Sequence, residues 1–255
     1  MLADCACPNR AFSTLLRVMN AARFGRVATC LLLAAAIVGG ATNARADDGD
    51  WEQVSNKDGI LVQRRTVSGF KLKEFRGRGI VQAPIGRVLA VLLDASRRAE
   101  WMPSCADEHL VEQDLAARTQ ISYHRTKAPW PVSDRDSVNR ASMIVEADKH
   151  RVVLPFEAIP FSKIPPVKGV VRMPFMRGHW ILIPVDGGRA TDTDYQVFAD
   201  PGGSLPDWLA NLASKTLPRE TIAGLRKQAS KVEYTAFEAQ IAAAPETKAL
   251  LETAR

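Results

Sequence analysis

Ser204 to Ala229 reads SLPDWLANLASKTLPRETIAGLRKQA. Leu205, Trp208, Leu209 and Leu212 recur at i, i+3, i+4 and i+7, which is one face of an α-helix. Ser204 is a good N-cap residue type, and Asp207 places an acid in the first turn. Pro218 interrupts or kinks the helix, and Thr221, Ile222, Leu225 and Ala229 carry an apolar face beyond it. A helix of this length, arriving after many short β segments, has to cover something apolar.

Upstream the chain is mostly strand. Asp186-Gly187-Gly188 is a strong hairpin turn, flanked by His179–Val185 and Thr191–Ala199. Thr191, Thr193, Tyr195 and Val197 share one strand face. Asp192 and Asp194 share the other, where a solvated surface is expected. Arg118–His124, Arg135–Val145, Arg151–Phe156 and Gly169–Met173 are further strands. Pro155 to Pro166 (PFEAIPFSKIPP) holds four prolines, which predicts a loop or an edge excursion, since proline cannot donate to a ladder. It packs as core, rims a ligand mouth or touches a membrane.

Before this run, Ile85, Val88, Leu89 and Leu92 keep the 3.6 period of a helix opened by Ala83-Pro84. Ile60–Val67 and Lys71–Val81 are strands. In the second, Gly77 and Gly79 share a face, marking a sharp bend or a close approach. Trp51 and Val54 predict a short helix at the start. With no βαβ repetition, the chain is one α+β domain with an antiparallel sheet. A strongly bent sheet of this kind cradles the terminal helix, with either packed core or a cavity between them.

Residues 1–46 fall outside that domain. Arg17, Arg23 and Arg26 precede a short apolar core, Val27–Val38, and Ala44-Arg45-Ala46 is a small-x-small cleavage signal. This pattern predicts a secretory leader; the apolar core is shorter than the roughly 20 residues that span a bilayer. Met19 as the start would give a leader of more usual length. Cleavage before Asp47 predicts a periplasmic or secreted protein. It also changes the charge balance, because the leader holds five Arg and one Asp. The remainder has 29 basic and 27 acidic residues, a net charge of about +2 against +6 for the whole chain, which gives no reason to expect a nucleic-acid partner. Cys105 is then the sole cysteine, a buried small hydrophobe on this reading. His109, His124, His150 and His179 show no metal-ligand spacing.

Three motifs carry a family resemblance. Pro129-Trp130-Pro131-Val132-Ser133-Asp134-Arg135-Asp136 is followed by Arg140. Pro165-Pro166-Val167-Lys168-Gly169-Val170-Val171-Arg172-Met173 leads to Gly178-His179-Trp180. Gly203 to Asn211 opens the last helix, with Pro218 beyond it. In this order and spacing, across roughly Trp51 to Tyr234, the chain resembles the START domains, lipid-transfer modules of helix-grip fold in the Bet v 1-like superfamily. The resemblance implies a helix-grip α+β fold, a strongly bent antiparallel sheet wrapped around a long C-terminal helix. It implies an internal hydrophobic tunnel with that helix as lid, in a domain spanning residues 47–234 and followed by a tail, 235–255.

The candidate cavity or gate residues are Tyr123, Trp130, Asp136, Arg172, Trp180, Tyr195, Leu205, Trp208, Leu209 and Leu212. Each has a structural alternative. Asp136 and Arg172 each pose the same choice, a polar anchor for a ligand head group or a cross-strand or helix-to-sheet ion pair that closes the grip. Arg135 is read as structural. Trp130 and Trp180 are core or ligand platform. The expected partner is a lipid or other apolar small molecule, bound and transferred by a monomer that touches membranes transiently. No catalytic residue, metal or cofactor is expected. A polyketide cyclase or aromatase-like enzyme and a solid-core binding module are the alternatives.

Overall fold

The computed structural model describes residues 51–243 apart from 71, 115 and 204–206, together with 245 and 248. Eleven strands form one sheet: β1 (Glu52–Lys57), β2 (Ile60–Thr66), β3 (Lys73–Val81), β4 (Cys105–Asp114), β5 (Thr119–Thr126), β6 (Arg135–Ser142), β7 (Ile144–Glu146), β8 (Arg151–Ala158), β9 (Val171–Arg172), β10 (Phe175–Val185) and β11 (Ala190–Asp200). Among the described residues three α-helices accompany them: α1 (Ile85–Leu93), α2 (Asp207–Ala229) and α3 (Thr235–Ala242). The main path runs β1-β2-β3-β11-β10-β8-β6-β5-β4, with β7 on β8 and β9 parallel to β6.

This is an α+β helix-grip arrangement, but the expected strongly bent sheet wrapped around the helix is not what forms. The path is open, ending at β1 and β4, and is not strongly curled. Helix α2 lies over one end of it, on β3, β2 and β11, and against α1. Of the two readings of Gly77 and Gly79, a bend or a close approach, the close approach is the one that forms. A Cβ on Gly77 would come within 3.1 Å of both the Pro218 ring and the Ile222 side chain, and one on Gly79 within 3.0 Å of the Arg226 guanidinium. Only a backbone without side chains admits α2 this near to the sheet.

Three other expectations are corrected. Trp51 and Val54 do not start a helix: β1 pairs with β2 across Asp58-Gly59, whose φ angles of 56° and 64° make the tight turn that a hairpin prefers. Pro155 lies within a strand. It pairs with His179 on the β10 side, while its other flank falls where the neighbour of β8 changes from β7, last paired at Val153, to β6, first paired at Phe156. A missing N–H costs nothing at such a break. Asp194 is buried and opposes Arg78 in register, 3.9 Å away, because β11 is a central strand.

The core forms where β2, β3, β8 and β10 meet the helices. Ile60, Val62, Val88, Leu89, Leu182, Ile222 and Leu225 are essentially solvent-free. Complete burial of such side chains contributes about 1.5–3 kcal/mol each. Helix α1 is apolar almost all round, as expected of a helix covered on both sides. Beyond Tyr234 the chain continues as α3, which packs on α1; Arg87 donates to Glu238 at 2.5 Å, and Ile241 packs against the core.

Candidate functional site

Between the inner face of the sheet and the helices lies a cavity of about 880 Å³. Strand alternation selects its walls. On β5 it receives Ser122, His124 and Thr126, and on β6 it receives Arg135, Asn139 and Ala141. Leu154 and Phe156 of β8, Trp180 of β10 and Tyr195 of β11 form an apolar wall. Trp180 and Tyr195 are opposite in register and stack at 4.5 Å, with Phe156 6.3 Å from Tyr195. Met102, Met143, Met173 and Met176 add adaptable surface. Helix α2 closes part of the cavity with Thr216, Leu217, Pro218 and Thr221.

Polar groups concentrate at one wall. Arg98 sits in the short helical turn Ala95–Glu100 and donates to the Leu92 carbonyl at 2.6 Å, and its Nε lies 3.3 Å from the Glu108 carboxylate. Glu108 faces His124 across the β4–β5 ladder, with 2.8 Å between its Oε2 and Nδ1. The other ring nitrogen is 3.1 Å from Thr126 Oγ1, and Cys105 Sγ is 3.8 Å from Nδ1. Burial opposes a charge on His124, but its bonds to Cys105 and Glu108 and the Glu108 charge outweigh that and raise its pKa to about 9. Burial likewise opposes the Glu108 charge, and Arg98 and His124 nevertheless hold that carboxyl below its ordinary value. Burial pushes the Tyr195 hydroxyl up to about 12. The Asn139 side-chain carbonyl is buried with no partner among the described residues, which leaves an acceptor free on the cavity side of β6.

The residues singled out from sequence separate into groups. Trp180 and Tyr195 stand in the cavity wall. Tyr123, Asp136 and Arg172 come together on the opposite face of β5 and β6. There Arg172 donates to both Asp136 oxygens, at 2.7 and 3.1 Å, and to the Ile164 carbonyl at 3.3 Å. This pair, in which Asp136 is buried and Arg172 partly exposed, ties the loop before β9 to β6. Its hydrogen bond raises the Arg172 pKa, and burial, then Asp136, raises that of Tyr123. Trp130, in the loop between β5 and β6, is 91% exposed. Leu205 lies outside the described residues; Trp208, Leu209 and Leu212 fall on α2, with side chains outside the described residues. Arg135 borders the cavity and donates to the Ser133 carbonyl at 2.5 Å, and its Nη2 lies 3.4 Å from the Gly202 carbonyl at the approach to α2. Arg98, Glu108, His124 and Asn139 were not among the candidates. The alternation of β5 and β6 would have put His124 and Asn139 on the face opposite Tyr123 and Asp136, but it does not say which face is hollow.

The START domain family model matches residues 34–230. An uncharacterised protein of Pseudomonas aeruginosa is 36% identical over 200 residues, covering 78% of this chain and 96% of its own length. The phosphatidylcholine transfer protein of Rattus norvegicus is 29% identical over 170 residues, 65% of this chain and 77% of its own. Among solved structures, that of a STAR-related lipid transfer protein from Xanthomonas axonopodis is similar with a TM-score of 0.64 at 36% identity, covering 71% of this chain and 99% of that one.

Proposed function

We propose that this chain, which belongs to the START domain family, binds one lipid in the cavity under α2 and carries it between membranes without altering it. The observation that supports this most is the cavity itself, about 880 Å³ with a mostly apolar wall and a few polar groups gathered at one side. Such a space suits an acyl chain with a polar head, and each methylene buried contributes about 0.8 kcal/mol. The rat protein and the Xanthomonas axonopodis structure are named for lipid transfer, and the role is non-enzymatic. A relative named for phosphatidylcholine favours a phospholipid as the cargo.

Release requires the cavity to open, and α2 is the element placed to do it. Gly202 and Gly203 precede it with φ of 65° and 63°, and Pro218 stands inside it against Gly77. An added Cβ at Gly77 would lie 3.1 Å from that of Pro218, inside the roughly 3.5–4.5 Å of a disulfide, so the bridge forms with α2 lifted slightly from β3. In a chain whose own cysteines are replaced by serine, Gly77→Cys with Pro218→Cys pins α2 to β3. Oxidation is expected to stop transfer of pyrene-labelled phosphatidylcholine between vesicles, and reduction to restore it. Transfer at an unchanged rate in the oxidised form overturns the gate. The exposed Trp130 serves as a membrane contact, since indole favours the membrane interface. Export follows from the leader, and N-terminal sequencing of the protein secreted by a Gram-negative host is expected to begin at Asp47; retention of residues 1–46 overturns it.

A further inference from the structure

Three chemically different donors converge at the polar wall. Cys105 Sγ, a carboxylate oxygen of Glu108 and a ring nitrogen of His124 all lie within 4.8 Å of one another. We propose that Cys105, Glu108 and His124 form a binding site for a zinc-type divalent cation at the edge of the cavity. The proposal does not depend on the identity, or the binding, of a lipid.

The geometry separates this site from a thiol–imidazole nucleophile. A nucleophile, base and orienting acid need the nucleophile on one imidazole nitrogen and the acid on the other. Here sulfur and carboxylate both approach Nδ1, at 3.8 and 2.8 Å, while Nε2 is engaged by Thr126 Oγ1 at 3.1 Å. Donors crowded round one nitrogen suit an ion placed among them. The Thr126 hydroxyl holds the far nitrogen, as an outer partner of a metal-bound histidine does.

The distances are near what an ion requires. A tetrahedral zinc about 2.3 Å from sulfur and about 2.0 Å from nitrogen puts those two atoms about 3.6 Å apart, against 3.8 Å here. The oxygen and nitrogen need about 3.4 Å, so Glu108 recedes slightly from 2.8 Å by turning its carboxylate. On binding, Cys105 and His124 each release a proton to solvent; thiolate and carboxylate then balance the divalent charge, and Arg98 remains beside Glu108 at 3.3 Å. Sulfur, imidazole and carboxylate as a set select zinc and its neighbours over calcium or magnesium. Three protein donors leave a fourth position, and Glu108 and His124 both border the cavity.

The register explains how the site is assembled. Glu108 is opposite His124 and Cys105 is opposite Thr126, with an irregularity after Cys105 that returns its side chain to the same side. The test uses the full chain with Cys5, Cys7 and Cys30 replaced by serine, titrated with cobalt(II) and then with zinc. One cobalt per chain is expected, with a thiolate-to-cobalt charge-transfer band in the near ultraviolet that zinc abolishes. Cys105→Ser should remove the band while melting as the parent chain does without metal. Thr126→Val, which leaves all three ligands in place, should weaken cobalt binding about tenfold or more. Absence of the band at stoichiometric cobalt, or its survival in Cys105→Ser, overturns the site and leaves a buried ion pair that joins β4 to β5.

Discussion

Ala141 lies on β6 in the cavity wall, opposite Phe156 in the ladder. Ala141→Phe would send a ring into the space assigned to the cargo. A phenyl ring takes the room of about four chain methylenes, and at about 0.8 kcal/mol each their loss weakens binding by roughly 3 kcal/mol. That is a fall in affinity of about 200-fold. Glu157→Phe is the control, because Glu157 is on the next strand, exposed and on the other face. The assay is the fluorescence of a pyrene-labelled phosphatidylcholine taken up from vesicles, with thermal melting to confirm folding. The expected result is a large loss for Ala141→Phe and none for Glu157→Phe. Equal affinity in a folded Ala141→Phe chain would refute the assignment of this cavity to the ligand.

Gly224→Ala is expected to destabilise, although the exchange favours an isolated helix by about 1 kcal/mol. Its Cβ would stand 2.1 Å from the Trp101 carbonyl oxygen, and relieving such crowding costs about 1–3 kcal/mol, seen as a lower Tm. Asp136→Asn breaks the bidentate pair with Arg172; because Arg172 is partly exposed, a loss of about 2–3 kcal/mol is expected, in urea unfolding, with ligand affinity unchanged. Burial raises the Tyr195 pKa to about 12 in the folded state, against about 10 when unfolded. The stability this contributes is complete below pH 10 and is lost as pH rises through 12; Tyr195→Phe should flatten that part of the alkaline unfolding curve. Trp130→Ala should slow transfer between vesicles and lower the fraction of the chain that co-sediments with them, with the lipid held per chain unaltered, checked by stopped-flow, co-sedimentation and native mass spectrometry.

Much of the architecture is written locally. The periodicity from Thr221 to Ala229 and the hairpin at Asp186-Gly187-Gly188 both appear as elements, α2 and the β10–β11 turn. Local pattern did not reveal that Gly77 and Gly79 make room for a helix, because that partner is some 140 residues away and its approach depends on packing. Nor did it show Pro155 within a strand, since proline is acceptable there only because the neighbouring strand changes at that point. In the site, Trp180 and Tyr195 were legible as large side chains on alternating strands. Asp136 and Arg172 were each legible as a charged residue that either pairs or meets a head group; that they pair with each other, on the face away from the cavity, was not. The Arg98–Glu108–His124 cluster was hidden because its members come from three segments, aligned by the β4–β5 register and by the turn after α1.

The proposed role stands on one lipid held in the cavity under α2. Native mass spectrometry of the chain, after incubation with phosphatidylcholine vesicles and removal of the membranes, tests it directly. A single added mass of one phospholipid per chain is expected, lost in Ala141→Phe. A folded chain that carries no lipid, or an Ala141→Phe chain that carries it equally well, would contradict it.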